Sequence, residues 1–147
     1  MLNRFEKFIL NITEIDLYWH RLASAEMKRY GLKGNYAIYF TRLHEHPEGI
    51  TSTALAALCG KDKADVSRDM AVLEKAGFVE RPHGYRAPIT LTAQGRRLTD
   101  EIIQKAELAV RCIGQGLTDQ EREIFYRTLD SITANLQAIS ESGLPEA

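Results

Sequence analysis

The chain has 147 residues, enough for one domain that hides about two-thirds of its unfolded surface. With 44% hydrophobic and 27% charged residues it reads as an ordinary globular protein, and no stretch reaches the roughly 18 apolar residues of a membrane span. The net charge of −1 divides unevenly: residues 51–97 hold eight Lys or Arg against five Asp or Glu, a local +3, while the remainder stands at −4.

The opening residues Asn3-Arg4-Phe5-Glu6-Lys7 are polar where a secretory leader would be apolar. Two cysteines, Cys59 and Cys112, cannot build a disulfide framework, so a cytoplasmic location is expected. Residues 4–29 read as one long helix, because Phe5, Phe8, Ile12, Ile15, Trp19 and Leu22 recur at three- and four-residue steps. Gly31 and Gly34 mark a turn, and a second helix is expected over 35–45, ended by His46-Pro47-Glu48-Gly49. Thr51, Ser52 and Thr53 offer hydroxyl caps to a short helix that stops at Cys59-Gly60.

Asp62 caps the next helix, expected over 62–76, with Val66, Met70 and Leu73 on one face and Gly77 as its left-handed terminus. Residues 78–81 and 87–91 read as two short strands of a hairpin with residues 82–86 at its tip. A long helix is expected over 93–113, and Thr118 caps a last one that ends near Gly143. The expected fold class is mainly α (α+β): a winged helix-turn-helix lobe over 35–92, flanked by long helices over 1–30 and 93–142, in one domain of residues 1–147.

A helix, a tight turn, a second helix and a small hairpin form a layout suited to duplex DNA. The second helix buries one face so that the other can enter a major groove about 12 Å wide. On the free side stand Lys61, Lys63, Asp65, Ser67 and Arg68, with Arg68 suited to bidentate contact with guanine or with a phosphate. Asp65 accepts from a cytosine, fixes Arg68, or pairs with Lys61 or Lys63. The first helix can turn the backbone N–H groups of Thr51, Ser52 and Thr53 towards phosphates. Arg81, His83 and Arg86 give the hairpin a basic tip, suited to the backbone or the minor groove.

The strings Leu73-Glu74-Lys75-Ala76-Gly77-Phe78-Val79-Glu80-Arg81 and Leu91-Thr92-Ala93-Gln94-Gly95, with the helix residues before them, resemble the multiple-antibiotic-resistance regulator (MarR) family. The flanking helices and the length match as well. One departure is the hairpin tip, which lacks the acidic residue that family members carry before the tip arginine. The resemblance implies a homodimer, held by the first and last two helices, that binds a near-palindromic double-stranded DNA operator. It also implies a ligand-responsive repressor released by a small molecule, typically a phenolic effector. Trp19, His20, Tyr36 and Tyr39 are the candidate effector pocket, with core packing as the competing explanation.

Other chemistry has little footing. His44 and His46 diverge on a helix, zinc spacings are missing, and neither metal nor cofactor is expected. Cys59 and Cys112 read as small core residues, with redox sensing as the alternative. No nucleophile–base pair or phosphate-cradling glycine loop appears, so no enzyme is expected. The alternatives to a DNA-binding repressor are a winged-helix module for protein contacts, or a redox- or metal-sensing regulator of the same fold.

Overall fold

In the computed structural model, which describes residues 2–82 and 87–144, the apolar periodicities become six helices. Helix α1 spans Leu2–Lys28, a single turn of 3-10 helix covers Gly34–Tyr36, and α2 runs over Ala37–His44. Helices α3 (Ser52–Cys59) and α4 (Lys63–Lys75) are followed by strands β1 (Val79–Glu80) and β2 (Thr90–Leu91). Helices α5 (Ala93–Ile113) and α6 (Asp119–Ser142) complete the chain. The helix expected over 35–45 is thus split, its first turn wound more tightly.

The chain forms two compact units, residues 1–104 and 105–147. In the first unit the core is built from one face of each short helix. Tyr39, Phe40 and Leu43 of α2 meet Leu55 of α3 and Val66, Met70 and Leu73 of α4, all within 1% of full burial. Each such aliphatic side chain contributes about 1.5–3 kcal/mol by leaving water. Phe40 and Phe78 pack edge to face with ring centroids 5.6 Å apart, which seats the base of the hairpin on α2.

The strands are antiparallel, with Val79 opposite Leu91 and Glu80 opposite Thr90. A third, single-residue segment joins them: Ile50 and Ile89 exchange backbone bonds of 3.1 and 2.8 Å. The hairpin is tied to α5 through Thr92. Its hydroxyl donates to the Gly77 carbonyl at 2.7 Å and accepts from the Gly95 N–H at 3.0 Å, and its own N–H reaches Phe78 O at 3.0 Å. Gly95 has to be glycine, since a Cβ there would overlap the Phe78 carbonyl oxygen. Gly77 adopts φ 82°, a left-handed conformation that turns the chain out of α4 into β1.

In the second unit, α6 starts with a reciprocal cap. The Glu121 N–H donates to Thr118 Oγ1 at 3.2 Å while the Thr118 N–H donates to Glu121 Oε2 at 2.8 Å. Those bonds hold the Glu121 carboxyl below its ordinary range. Arg122 reaches back to the Gly114 carbonyl at 2.9 Å and closes the turn before α6.

Candidate nucleic-acid interface

Helix α4 owes its start to Asp62, whose extended backbone lets Oδ1 accept from the Ala64 N–H at 2.7 Å. Its i, i+4, i+7 stripe of Val66, Met70 and Leu73 is fully buried, so the remaining side chains are set outward by geometry alone. Asp65 and Arg68 are exposed on that outer side, Ser67 is half-buried at its edge, and Lys63, on the face of the stripe, is exposed in the first turn of the helix. Of the roles open to Asp65, the structure displays the pairing with Arg68, an exposed i, i+3 ion pair. Such a pair is worth at most about 1 kcal/mol, so a phosphate or a base can take over the guanidinium cheaply.

Thr51 is the cap of α3: its hydroxyl accepts from the Ala54 N–H at 3.2 Å, which places Ser52 and Thr53 in the first turn. Gly60, at φ 60°, ends α3 and lets the chain turn within three residues to the Asp62 cap. Lys61, in that turn, lies with Nζ 4.6 Å from the Tyr39 ring centroid. Arg81 has a different surrounding from the one a free contact would have. Its guanidinium is engaged by Glu74 through Nε and a terminal nitrogen, each 3.0 Å from the same oxygen. It therefore braces β1 against α4. His83 and Arg86 lie outside the described residues.

A feature that reading along the chain missed is the part-buried polar link between α2 and α4. The Tyr39 hydroxyl donates to Asp69 Oδ2 at 2.7 Å, and Tyr36 packs on Tyr39 with centroids 5.9 Å apart. Burial, and then the Asp69 carboxylate, raise the pKa of both tyrosines. The signal that could have found it is that a buried tyrosine hydroxyl requires a partner. Of the four residues considered for an effector, Tyr36 and Tyr39 thus sit in the core of the lobe. Trp19 and His20 are on the exposed surface of α1, with His20 Nδ1 2.9 Å from the Asp16 carbonyl.

Cys59 is half-buried, and burial raises its thiol pKa against the opposing pull of Lys61 and Arg42. Cys112 is exposed. Among the described residues no group of three or more His, Cys, Asp or Glu side chains is placed to hold a metal ion, and no helix is long and apolar enough to cross a membrane.

Residues 30–86 match the model of the MarR family, which spans the turn after α1, helices α2 to α4 and the first hairpin strand. No curated protein matches the sequence. Solved structures resemble it throughout. A MarR transcriptional regulator from Methanosarcina mazei Go1 superposes with a TM-score of 0.83 at 21% identity, over 91% of this chain and 92% of that one. A MarR-family protein from Listeria monocytogenes, complexed with 26mer DNA, gives 0.79 at 20% identity over 95% and 97%. A MarR-family regulator from Silicibacter pomeroyi gives 0.75 at 24% identity over 92% of each chain. The chain has the winged helix fold of the MarR-family structures, and its residues 30–86 match that family's model.

Proposed function

We propose that this protein is a dimeric, DNA-binding transcriptional regulator that represses a gene by occupying a near-palindromic operator. The observation that carries the reading is the division of α4: Val66, Met70 and Leu73 are fully buried, while Arg68 stands exposed on the outer side, with Ser67 at its edge and Lys63 exposed in the first turn. Helix α4 enters the major groove, Arg68 releases Asp65 to contact a base edge or a phosphate, and Lys61 and Lys63 meet the backbone. Thr51, Ser52 and Thr53 approach the phosphates from the start of α3, and Arg86 follows from the hairpin tip. Arg81 serves as the brace that holds the hairpin to α4. The Listeria relative crystallised with DNA supports the same use of the fold.

The dimer is supported by apolar surface. Ile9, Ile12, Ile15 and Leu22 of α1 are each 44–60% exposed, and in α6 Ile124, Phe125 and Leu136 are 46–54% exposed. Exposure of that extent along long helices is the mark of a surface covered by a second copy. A small phenolic effector that releases DNA meets the exposed Trp19 and His20, since Tyr36 and Tyr39 are committed to the lobe core. The chain acts in the cytoplasm and performs no catalysis.

The test is a titration of a fluorescent duplex, covering the region upstream of the neighbouring genes, at 50 and 200 mM salt. The reading predicts tight binding that weakens steeply with salt, because each phosphate contact releases counterions. Absence of binding at the lower salt would overturn it.

A further inference from the structure

Beside the N-terminal half of α4 lies an open groove of about 540 Å³, a volume typical of ligand sites and far larger than a water pocket. Residues from two distant segments line it: Lys33 and Asn35 from the turn before α2, and Gly60, Lys61 and the first two turns of α4. We infer that this groove seats a phosphodiester of duplex DNA, with Lys33 and Asn35 as contacts supplied from outside the helix-turn-helix. The inference rests on the DNA-binding reading above and adds a site to it.

Formal charge alone would not attract an anion here, since Lys33, Lys61 and Arg68 are matched by Asp62, Asp65 and Asp69. What differs is how the charges are used. Asp62 caps α4 by accepting from the Ala64 N–H at 2.7 Å, and Asp65 holds Arg68. Asp69 accepts from the Tyr39 hydroxyl at 2.7 Å. Each carboxylate is thus occupied by a donor of its own fold. The two ammonium groups are treated differently. Among the described residues, neither Lys33 nor Lys61 forms an ion pair, and each lies over an aromatic ring: Lys33 Nζ is 5.9 Å from the Tyr36 centroid and Lys61 Nζ 4.6 Å from that of Tyr39. A ring face orients a cation without consuming its N–H donors, so both ammonium groups keep them for an incoming acceptor.

The position fits the occupant. A helix with its side chains is about 10–12 Å across and fills the major groove, so the phosphate strands run along its flanks. Arg68 lines the groove and belongs to the outer side of α4, which puts the groove where a flanking strand passes.

The experiment compares wild type, Lys33→Gln and Lys33→Arg by fluorescence anisotropy on the upstream duplex and on a random-sequence duplex, across 50–300 mM salt, with melting curves for each protein. Lys33→Gln should melt as wild type does and bind both duplexes roughly five- to tenfold more weakly per groove near 0.1 M salt. Its log–log salt slope should fall by about one for each groove engaged. Lys33→Arg should bind like wild type. If wild type binds with a steep salt slope and Lys33→Gln keeps both slope and affinity, the groove assignment falls while the DNA-binding reading stands. Equal losses in the Gln and Arg variants would trace the effect to the turn's shape and also overturn it. A wild type that binds neither duplex removes the reading itself, and the groove with it.

Discussion

Tyr39 is fully buried, and its hydroxyl gives α2 a direct hold on α4 through Asp69 at 2.7 Å. A bond to a charged acceptor contributes about 1.5–3 kcal/mol, so Tyr39→Phe should lower unfolding stability by that amount at neutral pH in a urea titration. Its pKa is raised above the usual value near 10, first by burial and then by Asp69. The sign follows: the folded state favours the protonated phenol, so this stability is present below pH 10 and is lost as pH rises beyond it. Stability measured from pH 8 to pH 11 should therefore fall less steeply in Tyr39→Phe than in wild type; an identical slope would contradict the link. Along the sequence Tyr36 and Tyr39 stand out as aromatics but carry no sign of their partner, because Asp69 lies 30 residues away. Asp65 is the opposite case. Its pairing with Arg68 is an i, i+3 contact on one helix, readable from spacing.

The helices were legible in the apolar period and in their caps. Thr51, Asp62 and Thr118 each accept from a backbone N–H at the start of their helix. The hairpin was legible only as two extended runs around a tip. Its paired part is two residues per strand, and the third segment, Ile50 against Ile89, is one bridge. A single bridge has no period to detect, and neighbouring Ile50 reads equally well as the residue before a cap. The Leu91-Thr92-x-x-Gly95 string has a physical content that spacing could not disclose: Thr92 joins the Gly77 carbonyl to the Gly95 N–H, where no Cβ fits. At the start of α6, Thr118→Ala removes the hydroxyl half of the cap and should cost about 0.5–2 kcal/mol of helix stability, read from thermal unfolding followed by circular dichroism. Glu121, held below its ordinary range by Thr118, contributes its part above the unfolded glutamate pKa and loses it as pH falls through the lowered value. Because the residue-118 N–H still bonds Glu121 in the variant, only the hydroxyl–carboxylate bond titrates away, so the difference from wild type should narrow with acidification without vanishing; a difference that widens towards pH 2 would contradict that account.

For the whole molecule, the uneven charge and the exposed apolar helices have one explanation. The basic middle is followed by an acidic stretch, with four Lys or Arg against nine Asp or Glu over residues 98–147, and the flanking helices carry the exposed residues Ile12, Ile15 and Leu136. Sedimentation of the wild-type chain at micromolar concentration should give twice the chain mass, and the double variant Ile12→Asp, Ile15→Asp should shift towards one. A wild type that sediments as a single chain would contradict the dimer. The central claim concerns α4, whose outer side is set by burial of the inner one. It is tested most directly by Arg68→Ala, a change at an exposed position that leaves the core untouched. Binding of the upstream duplex should weaken by about 1–3 kcal/mol, roughly 5- to 150-fold, with the melting temperature of the protein unchanged. Equal affinity of the variant and wild type for the same duplex would contradict it.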